Sequence, residues 1–260
     1  MKKKIITTTI IMLFTTWFCT LYSQVDDIKE KARDKKESDR EEQNSGDRHS
    51  RRSHHHDNDN NDLAGCFGDI IWFILYKSFE GLQTAALSQK ADYPYITSAE
   101  SKLWAGYSPN YSALIFSPEL KGNWGIFSTD FRFVSLHDNT GSLNNFEWQI
   151  IKLNIPVKTF KASAGIGFTQ LLDPKVSYFE YTFGMELRLF KEKAVFSGEY
   201  RDSPIATGDH FRREVSVQTD YEIIKTGNFH FSPFVGFRYQ QYFNEFDYYY
   251  LNTGLVVRFY

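Results

Sequence analysis

Three short segments place histidine beside groups with which it could do chemistry. His230 and Ser232 are two residues apart, so on a strand they would share one face. A histidine beside a serine hydroxyl can act as the base that activates a nucleophile. Asp209-His210 and His137-Asp138 each place an imidazole next to a carboxylate, a pairing that can activate water. These couples make a protease or lipid-modifying hydrolase the alternative function, although we assign no catalytic residue.

A histidine- and aspartate-rich tract occupies residues 54–62. Adjacent imidazoles and carboxylates can collect divalent ions. The calcium-loop pattern needs Gly at its sixth position and Glu at its twelfth. Counting from Asp57, those positions hold Asp62 and Gly68. We therefore favour a solvated linker here, and we expect no metal site and no cofactor.

Charge and hydropathy narrow the class of protein. A formal net charge of −2 argues against electrostatic binding of nucleic acid. The mean hydropathy of −0.45 is low for a helical membrane protein, but half the residues of a barrel strand face a polar lumen. In the last stretch, 248–260, one face of the alternation is apolar and the other is small or polar. This pattern is typical of a strand between lipid and a barrel lumen.

The same alternation recurs from residue 98 onward. Between successive strand patterns, tight turns alternate with longer loops. Gly122-Asn123 is predicted to be one of the tight turns. The sequence predicts an all-β fold, an antiparallel transmembrane β-barrel of about ten strands over 98–260. The alternative is eight strands, with the segment before Trp124 packed on the periplasmic side. The predicted strands are Ser98–Tyr107, Tyr111–Lys121, Trp124–Leu136, Phe146–Val157, Thr159–Leu171, Ser177–Phe190, Ala194–Arg201, Arg212–Ile224, Phe229–Phe243 and Asp247–Tyr260.

Almost every strand charge falls on the predicted lumen side of the alternation. A charge that faced lipid at the midplane would cost about 2–4 kcal/mol for Arg or Lys. Acidic and basic residues are equal in number, so we expect mutual pairing and an occluded lumen, with a structural or narrow-channel role. The predicted lumen charge network comprises Asp130, Arg132, Lys152, Lys161, Glu180, Glu186, Arg188, Glu199, Arg201, Glu214, Asp220, Glu222, Arg238 and Arg258.

Three different segments precede the barrel. Residues 1–23 have the basic start and apolar core of a signal peptide, with cleavage after Ser23. Residues 24–62 are too charged to form a core, so we expect a disordered periplasmic arm, its first half at most a transient helix. Residues 63–92 carry apolar residues at helical spacing. They predict a short amphipathic helix in the membrane interface, or alternatively a plug for the barrel.

With its leader, alternating strands and aromatic terminus, the chain resembles small outer-membrane β-barrel proteins of Gram-negative bacteria. The resemblance implies a bacterial outer-membrane location, outer-membrane lipid around the barrel, and contact of Val257, Phe259 and Tyr260 with the barrel-assembly machinery. Through the charged arm, peptidoglycan or a periplasmic protein is a further expected partner.

Two of the histidine couples also resemble enzyme sites of outer-membrane barrels. His230 and Ser232 resemble the His/Ser pair of lipid A deacylases, but here they point to the lumen. Asp209-His210 resembles the His/Asp couple of omptin proteases, without the second acidic pair of that family.

Overall fold

A computed structural model describes residues 24–46, 76–77, 79–88, 94–157, 159–205 and 208–260. The predicted signal peptide (1–23) and the tract 54–62 lie outside these ranges, as does most of the first half of the predicted helix 63–92. Within the described ranges, no helix combines the length and the apolar character needed to cross a membrane.

Strands from residue 97 onward close into a ten-stranded antiparallel barrel, which confirms the predicted strand number. Consecutive strands pair with each other, except that β8 pairs with β10, and β1 closes the barrel on β11 in a register from Ala99↔Phe259 to Tyr107↔Leu251. The three-residue β9 continues the line of β8 along β10. The strands are β1 Thr97–Ser108, β2 Ala113–Trp124, β3 Phe127–His137, β4 Ser142–Val157, β5 Phe160–Leu171, β6 Val176–Leu189, β7 Ala194–Pro204, β8 His210–Tyr221, β9 Ile224–Thr226, β10 Phe229–Tyr242 and β11 Phe246–Phe259.

The barrel has two different ends. At the turn end, short turns at 125–126, 190–193 and 227–228 lie beside the final residue, Tyr260. The loop end carries the connections 109–112, 138–141, 172–175 and 243–245. The predicted turn at Gly122-Asn123 is wrong, because both residues pair with β3 inside β2. The chain reverses instead at Gly125, whose φ of 69° suits a residue without a side chain.

Outward and inward residues alternate along the strands, as the sequence pattern predicts. The outward positions are mainly apolar and exposed, for example Phe183, Ile166 and Val235. The alternation breaks in β4, where the pairing with β5 shifts between Trp148 and Ile151, and again in β8, where Phe211 and Arg212 are both buried. Ile150 and Ile151 are 52% and 41% exposed, so two successive residues face outward. This β-bulge changes which residues of β4 point into the lumen.

A glycine in β5 accommodates the bulge. A Cβ atom at Gly167 would lie 2.0 Å from the carbonyl oxygen of Trp148, closer than any side chain can approach. The neighbouring strand therefore needs glycine at this position for the two backbones to approach.

A helix, α1, spans Val25–Gly46, where we expected a disordered arm. Its first turns lie against the loop end of the barrel, and Val25, Ile28 and Ala32 are 0% exposed. These residues form one stripe at helical spacing, so α1 gains an apolar contact that its highly charged composition does not suggest. Residues 47–62 of the predicted arm lie outside the described ranges.

The helical residues 79–88 lie at the opposite end, outside the barrel wall. The Gln83 side chain donates to the Trp124 carbonyl at 3.1 Å and accepts from the Ile126 amide at 2.8 Å. Ala86 packs with Tyr95, Ile96 and Ile126. In the described part of the chain, the helix that covers the loop end of the lumen is α1 and not the segment 63–92.

Candidate functional site

The interior of the barrel is the candidate site, because buried charges concentrate there. Most of the predicted lumen charges are almost fully buried; Glu186, Glu199 and Glu222 keep side-chain exposures of 15–23%. They form ion pairs across and along the strands. We describe them in two layers, a central layer and one nearer the turn end.

The central layer is built around Glu147 of β4, which is 0% exposed. Arg132 of β3 lies 2.5 Å from its carboxylate, Arg201 of β7 lies 3.3 Å away, and Arg212 of β8 contacts it as well. Strands β4 and β8 are four positions apart in the sheet order of the closed barrel. Arg201 and Arg212 therefore reach Glu147 across the lumen, whereas Arg132 is its cross-strand neighbour.

Further carboxylates complete the central layer. Arg132 forms a bidentate pair with Glu214, with distances of 2.7 and 2.8 Å. Arg201 lies 2.6 Å from Asp130, and Arg212 contacts Glu180. Glu214 also pairs with Arg238 at 3.2 Å, and Lys152 pairs with Glu199 at 2.8 Å. Every cation in this layer thus has an anionic partner, as buried charges require.

In the turn-end layer, Glu186 accepts from Lys121 at 2.7 Å, Lys161 at 3.1 Å and Arg188 at 3.0 Å. On the other side of the lumen, Arg258 donates to both oxygens of Asp220 at 2.8 Å. Arg258 also donates to Glu100 at 2.7 Å, so the last strand is tied to both the first strand and β8.

Sequence reasoning missed several members of this network, including Glu147, Arg212, Glu100 and Lys121. Glu147 escaped notice because strict alternation places it with the outward Ile151 and Leu153; the bulge reverses that assignment. For Arg212 a signal was available, since it is two residues from the predicted lumen residue Glu214.

At the loop end, the inward residues become aromatic and aliphatic. Tyr178 stacks on Phe211 with ring centroids 4.2 Å apart, and Phe211 meets Tyr242 edge to face at 5.7 Å. Tyr248 and Tyr250 are 0% exposed inside the lumen. These rings form one apolar cluster with inward aliphatic residues of β3, β4 and β5.

Helix α1 completes this cluster and is tied to the loops around it. The Val25 amide donates to Asp138 at 3.2 Å. Lys29 and Arg33 lie 3.6 and 3.9 Å from Asp173, and Lys31 contacts Glu245. An apolar stripe in the mouth and basic residues against acidic loops together hold the helix in one orientation.

A cavity of about 50 Å³ lies in the turn-end half of the lumen, lined by charged residues that include Lys102, Glu119 and Arg238. A buried water needs roughly 10–15 Å³ of such space, so the cavity has room for a few waters. Its polar lining provides partners for them.

The histidine couples do not assemble as the sequence suggested. His210 lies 2.5 Å from Asp202 rather than pairing with Asp209. Asp202 also accepts from Tyr181 at 2.6 Å and from Tyr200 at 3.0 Å, so its carboxylate is fully engaged. This cluster lies on the outer wall of the barrel.

The other two couples are also divided among different partners. His137 contacts Ser135 at 2.9 Å, while Asp138 binds the start of α1. His230 lies 2.5 Å from Glu222, and Ser232 is 3.4 Å from Arg258. Within the described ranges, no group of three or more His, Cys, Asp or Glu residues is placed to hold a metal ion.

An antiparallel barrel that is closed, apolar outside and charged inside belongs to the class of transmembrane β-barrels. No protein-family model matches the chain, and no curated protein matches it.

Several solved structures share the barrel architecture at low similarity. The N-terminal β-barrel domain of OprF from Pseudomonas aeruginosa is 10% identical, with a TM-score of 0.32, over 63% of this chain and 98% of that one. The NanC porin is also 10% identical, with a TM-score of 0.37, over 62% and 99% of the two chains. The translocator domain of the autotransporter NalP from Neisseria meningitidis is 12% identical, with a TM-score of 0.33, over 76% and 98%. With TM-scores this low, the fold assignment depends on the strand pairing of this chain itself.

Proposed function

We propose that this protein is an integral outer-membrane barrel that does not conduct and that serves as a structural anchor. The observation that carries the proposal is the contact of Glu147 with arginines from β3, β7 and β8. The pairs with Arg201 and Arg212 cross the lumen, at a level where the side chains are 0–1% exposed. A pore at this level would require the pairs to separate and leave buried charges without partners.

The lumen is closed a second time at the loop end. The aromatic cluster and the first turns of α1 fill the mouth, and the remainder of α1 extends away with exposed charged residues such as Arg40 and Glu41. A barrel closed at two levels supports an anchoring role for the N-terminal segment more than it supports a narrow channel.

Conductance of the full-length protein in planar bilayers tests both closures. We expect no conductance steps from the wild-type protein. Ile28→Asp, which displaces α1 by placing a charge in the apolar mouth, should remain silent because the central layer is intact. Glu147→Ala/Arg201→Ala, which removes both partners of one cross-lumen pair, should also remain silent because α1 is in place.

Combining the three substitutions should give small steps. Steady conductance from the wild-type protein or from Ile28→Asp would contradict the proposal, since either result means that the central layer lets ions pass.

For orientation, we place the turn end in the periplasm, because short periplasmic turns and longer extracellular loops are usual in such barrels. Helix α1 then lies on the extracellular side, which revises the periplasmic position expected for residues 24–46. The suggested contact with peptidoglycan or a periplasmic protein loses its support for this part of the arm. Val257 and Phe259 face outward at the turn end, which is compatible with a contact to the assembly machinery.

Cysteine labelling in cells tests this orientation. In a Cys66→Ser background, Glu41→Cys on α1 should react with a membrane-impermeant maleimide in intact cells. Thr226→Cys at the turn end is the matched site and should react only after the outer membrane is permeabilised. The opposite pattern would reverse the orientation.

A further inference from the structure

Three lysines surround an open pocket at the turn end. Lys191 and Lys193 belong to the β6–β7 turn and Lys225 to β9, and all three side chains are exposed. The pocket has a volume of about 430 Å³, within the range of sites that hold small ligands or headgroups.

These lysines differ from Arg258 of the pocket wall in having no anionic partner among the described residues. Arg258 is held by Asp220 and Glu100, and the wall's Glu222 is held by His230 at 2.5 Å. In the portion of the chain that the structure describes, no ion pair involves any of the three lysines. They outnumber the nearby Glu192, so the pocket offers an excess of positive charge to an anion.

Apolar residues beside the lysines set the depth of the pocket relative to the membrane. Phe190, in the β6–β7 turn, is 74% exposed, and Ile223 and Ile224, just before Lys225, are 61% and 53% exposed. Residues of this kind favour the boundary between hydrocarbon and headgroups. Lysine stems extend along such a boundary while the ammonium groups reach the phosphate level.

The turn itself presents these groups in an unusual conformation. Phe190, Lys191 and Glu192 have φ values of 52°, 58° and 70°. This left-handed region is unfavourable for residues with side chains, and Phe243 and Asn244 adopt it as well where the chain reverses between β10 and β11. Here the turn directs Phe190 outward next to Lys191.

We propose that Lys191, Lys193 and Lys225 bind the phosphate group of an anionic phospholipid in the leaflet at the turn end. The inference rests on the proposed membrane insertion. The adjoining apolar residues favour a lipid over a dissolved anion or an acidic protein, because the ligand's acyl chains can lie along Ile223 and Ile224.

Competition between lipids in nanodiscs tests the proposal with the full-length protein. The nanodiscs contain phosphatidylcholine with a minor fraction of phosphatidylglycerol, and native mass spectrometry counts the lipids retained by the protein. We expect preferential retention of phosphatidylglycerol. In the triple variant Lys191→Gln/Lys193→Gln/Lys225→Gln, the ratio of retained phosphatidylglycerol to retained phosphatidylcholine should fall about 100-fold. The reason is that each basic residue near an anionic surface contributes a factor of about five.

Two further variants make the result specific. Replacing the same three residues with arginine should preserve the preference, whereas Lys175→Gln, at the loop end, should leave it unchanged. Retention by the glutamine variant at the wild-type level would overturn the site. Displacement of the lipid by inorganic phosphate at equal concentration would overturn the assignment to lipid.

Membrane insertion is followed separately, by the difference in gel mobility between boiled and unboiled samples. If that difference persists in the glutamine variant while the lipid preference is lost, the site is supported and the barrel is intact. If the wild-type protein shows no such difference, the proposed membrane insertion fails rather than the lipid site.

Discussion

In the turn-end half and centre of the lumen, side chains from opposite strands meet as ion pairs, whereas at the loop end they meet as aromatic rings beneath a helix. The ionic part is complete within the barrel strands, as Arg258 shows by joining β11 to β1 and β8. The aromatic part is completed by residues such as Ile28, which precede the barrel by about seventy positions.

The difference shows that the lumen of one barrel can be filled by two kinds of interaction, and that these tolerate substitutions differently. Loss of one partner in a buried ion network leaves a charge without compensation, so the free energy of unfolding falls steeply. Loss of an apolar group beneath α1 reduces buried area in proportion, and the helix can separate while the barrel stays folded. Substitutions in the two regions should therefore differ in how much stability they remove and in how far through the molecule the effect spreads.

The largest effect is expected in the central layer. Glu147→Gln keeps the shape of the side chain but leaves arginines from three strands short of an anion. We expect the free energy of unfolding to fall by about 3–5 kcal/mol. Urea unfolding of the protein in detergent micelles measures it, with Glu192→Gln in an exposed turn as the control. Equal stability of the two variants would show that the central pairs contribute little.

A smaller and more local effect is expected beneath α1. Ile28→Ala should weaken docking of the helix by about 2 kcal/mol, because a buried methyl-rich side chain is lost. Hydrogen exchange in the first turns of α1 should then accelerate about 30-fold, while exchange in the strands stays unchanged. Glu37→Ala on the exposed side of α1 is the matched control. Faster exchange in the strands would show that α1 and the barrel unfold together.

The smallest effect is expected at the ion pairs between α1 and the loops. Lys31→Gln should reduce docking by about 0.5 kcal/mol, because its pair with Glu245 is exposed to solvent. High salt should reproduce this loss in the wild-type protein by screening. Arg40→Gln, further along the helix, serves as the control in the same exchange measurement. A loss as large as that of Ile28→Ala would mean that charge, and not burial, holds the helix.

Much of the barrel could be predicted from period-two alternation, because membrane and lumen impose opposite polarity on successive residues. That argument sorted Arg132, Arg201 and Glu214 to the lumen side. It fails where one extra residue enters a strand, and so it does not place Glu147 in the lumen. A bulge depends on the fit of two neighbouring backbones, at Trp148 and Gly167 here, and the alternation pattern does not report that fit.

The position of α1 could not be predicted from the sequence, for a related reason. Its composition is so charged that the stripe of Val25, Ile28 and Ala32 seemed too small to order the segment. The stripe becomes sufficient only because a concave aromatic surface already exists at the loop end. Tertiary context supplies what local propensity lacks.

The docking surface of α1 also constrains the order of assembly. It is made by Leu136 of β3, Tyr178 of β6, Phe211 of β8 and Tyr248 of β11, so it exists only after the first and last strands have joined. Residues that leave the ribosome early must therefore wait for the final strand before they reach their native contacts. Barrel closure is therefore a precondition for docking of α1, and a chain in which β11 has not yet joined β1 would keep its amino-terminal helix accessible to chaperones and proteases.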